Sequence, residues 1–179
     1  MKSLEFCKQF ECESAGIYRS ESDNPRIIIY KFYSTVLNAK ISSDDDHSPP
    51  DTTISFGLGK NNQLLRASLN LDTDKENQLP GKFSCFAAFT LIESVVDYRN
   101  NLASFCKTFN SFATSLRVSV KSDDGEYKTK SGLEHVAKLY SGNAKSRPYY
   151  FYLVCFPETA ENACSYTFDI TDRPEWSLD

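Results

Sequence analysis

Apolar and polar residues alternate along several short runs of this chain, a pattern typical of strands with one buried face. Residues 54–58 and 65–71 alternate on either side of a turn-forming segment, residues 59–62, and together they predict a β-hairpin. Residues 26–41 are rich in β-branched and aromatic side chains, which suit a pleated, half-buried surface. We therefore predict one long or two short strands there, followed by the hairpin.

Further segments also have residue patterns typical of strands. Residues 79–94 begin with a Pro-Gly turn and then place apolar side chains at alternate positions from Phe83 to Leu91, so we predict a strand. Strands are also predicted at residues 116–121, 147–158 and 164–170.

The segment from Val95 to Leu116 carries two conflicting signals. Its large apolar residues recur at spacings of three and four, which predicts a helix. The residues between them are mostly Ser, Thr and Asn, which compete for backbone hydrogen bonds and favour interrupted strands. Both alternatives stay open. A short helix is predicted at residues 131–142, with Ser131 and Glu134 as a capping box.

These elements predict a mainly β fold, an antiparallel β-sandwich with one or two helices. The alternative is an α+β fold in which a long helix at about residues 94–117 packs on an antiparallel sheet. We expect an irregular N-terminal segment over residues 1–25, one β-rich domain over residues 26–170, and a polar tail over residues 171–179.

The net charge of the chain limits the classes of partner that it is expected to bind. The formal net charge is -4, which disfavours nucleic acid and anionic membrane surfaces because both require a cationic face. The first residues carry charges at Glu5 and Lys8 and lack the apolar core of a signal peptide. We therefore expect a cytoplasmic or nuclear protein, with a secreted protein as the alternative.

The 6 cysteines bear on the same question. We expect reduced thiols acting as small core residues, with one exception, a disulfide between Cys155 and Cys164 across a hairpin. Cys7 and Cys12 have the spacing of half a zinc site, but no second close pair follows, so we expect two unrelated thiols or one disulfide there.

Catalytic and metal signatures are sparse. His47 follows three aspartates, but a calcium loop spaces its ligands around a glycine turn, so we expect a solvated acidic loop. His135 is expected on the flank of the short helix. Phosphate-binding glycine motifs are absent from the sequence. We predict no catalytic site, no metal and no cofactor, and hence a protein that is not an enzyme.

Three segments resemble the MATH domain, a TRAF-like eight-stranded sandwich. They are FGLGKNNQLLRASLNL, LPGKFSCFAAFTLI, and SGLEHVAKLY followed by PYYFYLVCF, and the resemblance as a whole covers about residues 26–156. The resemblance implies an adaptor that binds short motifs of partner proteins. It places Phe105, Phe109, Phe112 and Tyr127 near the peptide groove; the alternative is that these aromatic residues belong to the core.

The function expected from the sequence is protein–protein interaction. The chain would bind a peptide segment or a partner surface through a sheet face or an edge strand. The alternative is a secreted, disulfide-stabilised ligand-binding protein of a parasite or virus.

Overall fold

The fold is known from a computed structural model. The structure describes residues 5–19, 27–34, 53–59, 63–71, 79–80, 83–96, 98, 100–120, 136–144, 147–158 and 163–174. The predicted acidic loop with His47, the capping box, His135 and Tyr127 lie outside these residues.

The strands form one antiparallel sheet of 7 strands in the order β1-β2-β3-β4-β7-β6-β5. They are β1 (Glu13–Arg19), β2 (Ile28–Tyr33), β3 (Thr53–Leu58), β4 (Leu64–Leu71), β5 (Val136–Ala144), β6 (Arg147–Glu158) and β7 (Ala163–Thr171). The first four strands form one meander and the last three form another. The two meanders meet where β7 pairs with β4.

Three helices lie among the described residues: α1 (Glu5–Gln9), α2 (Ser84–Val95) and α3 (Leu102–Val120). α3 packs on β5 and β6, while α1 packs on α2. The Tyr166 hydroxyl of β7 donates to the carbonyl oxygen of Ala113 at 3.0 Å, which fixes α3 on the sheet. None of the helices in the described part of the chain is long and apolar enough to cross a membrane.

Alternation along the strands builds the core on one face, which we call the helix face. In one cross-strand row, Phe56, Ala67, Ile170 and Phe151 stand side by side on β3, β4, β7 and β6. All four are fully buried. The next row is Ile54, Leu69, Phe168 and Leu153, also fully buried. The mainly β, antiparallel fold is therefore confirmed. The described strands make a single sheet with helices on one face, as in the α+β alternative.

The predicted strand at residues 79–94 is wrong, because Ser84–Val95 forms α2. Burial explains the error. Eight of its residues are buried, including the consecutive run from Ala87 to Ile92, so this helix is enclosed on nearly all sides. An enclosed helix has no polar stripe, and its apolar positions fit a strand pattern equally well.

The helical interpretation of the segment after it is correct, although the helix begins at Leu102 rather than near residue 94. The Ser and Thr residues that argued against it make local hydrogen bonds. Thr108 and Thr114 donate to the carbonyl oxygens of Ser104 and Asn110, one turn earlier. Asn101 caps the start by accepting the Ser104 N–H at 2.8 Å.

Three other predicted elements differ from the structure. The predicted strand at residues 116–121 lies mostly within α3, which continues to Val120. The predicted helix at residues 131–142 overlaps β5, whose residues from Val136 onwards pair with β6. Within the N-terminal segment predicted to be irregular, the described residues 5–19 contain α1 and β1. In each case long-range pairing or packing overrides the local signal.

Candidate protein-binding surface

The aromatic residues predicted to contact a partner are mostly core. Phe105 and Phe109 have no exposed surface, so a partner cannot reach them in this structure. Phe105 lies edge-on to Phe168 of β7, with ring centroids 6.2 Å apart. Phe112 is partly buried against the same core, and Tyr127 lies outside the described residues. The apolar stripe of α3 therefore faces the sheet, and Phe105 and Phe109 are excluded as surface contacts.

The expectation of reduced cysteines is also wrong. Cys7 is bonded to Cys12, and Cys85 is bonded to Cys106. Cys155 is disulfide-bonded as well, and no cysteine among the described residues is free. The pairs join α1 to the residue before β1, and α2 to α3, which in each case crosslinks neighbouring elements.

The predicted partner of Cys155 is Cys164, whose side chain is outside the described part of the chain. The backbone register places Cys155 opposite Tyr166 and Pro157 opposite Cys164. The two cysteines are thus diagonal neighbours on one face of the β6–β7 hairpin. Diagonal neighbours on the same face are within reach of each other's side chains, and the pairing stays a prediction.

Exposed apolar side chains concentrate at the β1 edge of the sheet. Among the described residues, four large hydrophobic side chains are exposed: Ile17 (65%), Tyr18 (49%), Ile28 (36%) and Leu102 (36%). The first three lie on β1 and β2, and we call them the β1–β2 surface.

The reason for this exposure is visible in the register. Ile17 is opposite Tyr30, and Tyr30 is opposite the fully buried Phe56, so all three side chains point to the helix face. The exposed fraction rises along that row towards β1. The covering layer therefore ends before the edge strand, and Ile17 faces solvent on the side where the sheet elsewhere is packed.

The edge strand has an irregular backbone. Its pairing with β2 shifts between Ser14 and Gly16, which makes a β-bulge. Gly16 has φ +142°, a conformation that side chains rarely permit, and the Tyr18 ring lies 3.1 Å from where a Cβ would stand. The Lys31 ammonium lies 4.8 Å from the centre of the Tyr18 ring. Bulges of this kind limit uncontrolled pairing of an open edge.

A hydrogen bond links β1 to β2 beside the bulge. The Tyr33 hydroxyl donates to Glu13 Oε2 at 2.6 Å. That bond, the negative charge of Glu13 and local desolvation together raise the pKa of Tyr33 above its ordinary value. The pair holds the start of the edge strand in register.

The opposite side of the sheet, the outer face, is polar where the strands cross its middle. Ser55, Ser68 and Asp169 stand side by side on β3, β4 and β7. Asp169 is fully buried and pairs with Arg66 at 2.6 Å. The Tyr152 hydroxyl donates to the carbonyl oxygen of Pro174, so the chain after β7 folds back over this face. No group of three His, Cys, Asp or Glu side chains within the described ranges is placed to hold a metal ion.

Sequence reasoning missed the β1–β2 surface because it assigned the N-terminal residues to an irregular segment. The available signal was the pair Ile17 and Tyr18 directly after Gly16, since an apolar pair beside a glycine fits a bulged strand. Comparison with protein-family models, with curated proteins and with solved structures gives no match for this chain.

Proposed function

We propose that this protein is a non-enzymatic protein-binding domain that contacts its partner through the β1–β2 surface. Among the residues that the structure describes, three of the four exposed large hydrophobic side chains lie at one edge of the sheet, and this observation carries the proposal. Isolated exposed apolar residues are ordinary, but a group of them indicates a contact site.

The chemistry of the surface suits a polypeptide partner. Ile17 and Ile28 project from the helix face and Tyr18 from the outer face, so a partner would contact the edge from both sides. Buried aromatic and aliphatic anchors supply most of the affinity at such contacts. The outward backbone groups of residues 16–19, beyond the bulge, add hydrogen bonds to a short extended segment.

We further propose that the protein works in an oxidising compartment, as a secreted protein. Disulfides persist in such compartments and are rare in the cytosol. The proposal is supported by the Cys7–Cys12 disulfide, the Cys85–Cys106 disulfide and the disulfide-bonded state of Cys155. Counting reactive thiols in denaturant tests it on protein purified from its natural source. We expect none, and six reactive thiols would reject the proposal.

The proposal does not depend on the resemblance to the MATH family. Of the three segments that carry the resemblance, one forms α2 where the resemblance implies a strand. In another, the residues from Val136 onwards belong to β5 where it implies a helix. The proposal depends instead on the exposure of Ile17, Tyr18 and Ile28 and on the register of β1 with β2.

Photocrosslinking tests the contact surface directly. A photoreactive amino acid replaces Ile17 in one protein and Leu102 in a control, because Leu102 is an exposed large hydrophobic residue that lies outside the surface. We expect the position-17 protein to form a discrete adduct with a partner protein in native extracts or fluids. Identical adducts from position 102, or no adduct from position 17, would count against the β1–β2 surface.

A further inference from the structure

The disulfide between Cys7 and Cys12 closes the C-terminal end of α1. The helix ends at Gln9, and the Cys12 N–H donates to the Cys7 carbonyl oxygen at 3.1 Å. A hydrogen bond over five positions at a helix end, with a left-handed residue inside it, is the mark of the Schellman motif. Glu11 is that left-handed residue, with φ +48°. The disulfide thus joins the two positions where this motif usually has only an apolar contact.

Glu11 is an unfavourable residue for this position. The left-handed conformation crowds a Cβ against the following carbonyl oxygen, so glycine is the usual residue there. Among the residues that the structure describes, Glu11 is the one non-glycine residue with a positive φ. Its side chain is exposed, so burial of the side chain does not offset the cost. The crosslink around Glu11 therefore holds a backbone conformation that the residue itself disfavours.

Contacts before and after the turn confine a rearrangement to the turn itself. Phe6 and Phe10 are buried in the core, and the Phe6 N–H donates to Ser94 Oγ at 2.9 Å. The Ser34 hydroxyl donates to the carbonyl oxygen of Phe10. These contacts do not require the disulfide, so they keep α1 in place when the crosslink opens, while Glu11 becomes free to leave the left-handed conformation.

The disulfide lies near the surface of the protein. Cys7 is 9% exposed and Cys12 is only partly buried, whereas Cys155 is 1% exposed. Gln9 and Glu11, which lie between the two bonded cysteines, are exposed. Exchange requires a thiolate to reach one of the sulfur atoms, and strained or exposed disulfides are the ones that exchange readily.

We propose that the Cys7–Cys12 disulfide is a site of reversible thiol–disulfide exchange, and that its reduction by a dithiol releases the turn between α1 and β1. A thiolate of the dithiol attacks Cys12 Sγ, and the S–S bond breaks so that Cys7 leaves as a thiolate and takes up a proton. The second thiol of the dithiol then displaces Cys12, and the dithiol departs as a cyclic disulfide. Two electrons and two protons pass from the dithiol to the protein.

The release reaches the edge strand of the sheet. Cys12 directly precedes Glu13, the first residue of β1. The redox state of the turn therefore decides whether the start of β1 is fixed to α1. This inference does not depend on the binding of a partner by the β1–β2 surface.

A redox titration of the full chain tests the proposal. The protein is equilibrated with mixtures of reduced and oxidised dithiothreitol, the free thiols are alkylated, and mass spectrometry gives the reduced fraction of each cysteine. Glu11→Gly is the informative variant, because glycine adopts the left-handed conformation at no steric cost. Glu11→Ala is the matched control, since it removes the same carboxylate but keeps the Cβ.

We expect Cys7 and Cys12 to become reduced at dithiothreitol ratios that leave Cys85 and Cys106 oxidised. Glu11→Gly should require a ratio of reduced to oxidised dithiothreitol about three- to tenfold higher, because reduction no longer relieves a crowded left-handed residue. Glu11→Ala should titrate like the wild type. In amide hydrogen exchange, the Cys12 N–H should lose protection when the wild type is reduced and keep it in reduced Glu11→Gly.

Three results would overturn the proposal. If Cys7 and Cys12 become reduced only together with Cys85 and Cys106, the bond opens through global unfolding. If Glu11→Gly titrates like the wild type, or if the Cys12 N–H of the reduced wild type stays protected, the bond opens without releasing the turn. If Glu11→Ala shifts the titration as far as Glu11→Gly does, the carboxylate charge rather than the backbone conformation sets the effect.

Discussion

Arg66 on β4 and Asp169 on β7 form an ion pair across the join between the two halves of the sheet. Arg66 Nη2 lies 2.6 Å from Asp169 Oδ2, and the Asp169 side chain is fully buried while that of Arg66 is 31% exposed. Arg66 Nε also donates to Ser68 Oγ at 3.1 Å. The pair stands on the outer face, directly behind the buried core rows, and so connects β4 to β7 on the side opposite the described helices.

Removing the arginine should destabilise the fold, because it leaves the Asp169 carboxylate buried without its cation. Breaking a buried pair costs about 3–5 kcal/mol. Since Arg66 is partly exposed and its charge is screened, we expect Arg66→Met to lower the free energy of unfolding by about 2–3 kcal/mol. Urea unfolding measures the change.

The control for this variant is Lys138→Met. Lys138 is an exposed cation whose ammonium lies 4.4 Å from the centre of the Tyr150 ring. We expect its loss to cost less than about 1 kcal/mol. If Arg66→Met and Lys138→Met lower the free energy of unfolding equally, the buried ion pair does not stabilise the fold more than an exposed cation does.

Phe105 and Phe112 provide a test of core against surface within one helix. Phe105 has no exposed surface, whereas Phe112 is only partly buried. Phe105→Ala should cost about 3–5 kcal/mol because it leaves a cavity between α3 and the sheet. Phe112→Ala should cost clearly less. A Phe105→Ala protein of wild-type stability that loses partner binding would instead restore Phe105 as a contact residue.

The Cys85–Cys106 and Cys7–Cys12 disulfides should contribute unequally to stability. Cys85–Cys106 closes a separation of 21 residues and Cys7–Cys12 one of 5. Loop-closure entropy predicts a loss of about 3 kcal/mol for Cys85→Ala/Cys106→Ala and about 2 kcal/mol for Cys7→Ala/Cys12→Ala. Guanidinium unfolding of each double variant, without reductant, measures these values. The reverse order would mean that native contacts at α1, rather than chain entropy, set the effect.

The Tyr33–Glu13 pair should make stability decrease in strongly alkaline solution. The hydrogen bond to Glu13, then the charge of Glu13 and then desolvation raise the pKa of Tyr33 above 10.0 in the folded state. A raised folded pKa means that the contribution is complete below the unfolded pKa of about 10 and is lost as the pH rises through the folded pKa.

NMR titration of the Tyr33 ring checks this assignment. Glu13→Gln should lower the pKa of Tyr33 towards its ordinary value, because the amide carries no charge. Glu11→Gln is the control, since Glu11 lies outside β1 and is not the acceptor of the Tyr33 hydroxyl. An unchanged Tyr33 titration in Glu13→Gln would show that the hydrogen bond does not persist in solution.

The sequence predicts the sheet better than the helices, for a physical reason. The hairpin of β3 and β4 is visible because Phe56 and Leu69 face the core while Ser55 and Ser68 face outwards, so burial imposes a period of two. The same logic locates β6 and β7. It fails for α2, where Ala87, Ala88 and Leu91 are all fully buried and no polar stripe marks the period of a helix.

The candidate surface could not be predicted in the same way. Whether Ile17 is exposed depends on how far the helical layer extends over the sheet, which is a property of tertiary packing. Burial of Phe105 and Phe109 follows from the apolar stripe of α3. It agrees with the alternative, given in the sequence analysis, that these aromatic residues belong to the core. The Cys85–Cys106 disulfide was not predicted, because these residues meet only once α2 and α3 are packed side by side.

The place of β7 in the sheet has a consequence for biosynthesis. Although it is the last strand along the chain, it lies between β4 and β6, with Arg66 and Asp169 joined across 103 positions of sequence. The meander of β1 to β4 and the β5–β6 hairpin therefore stay separate while the ribosome is still translating, and each presents an open edge to chaperones until β7 emerges. Translation arrest before residue 163 would leave nascent protein that holds secondary structure but lacks the strand that unites its halves.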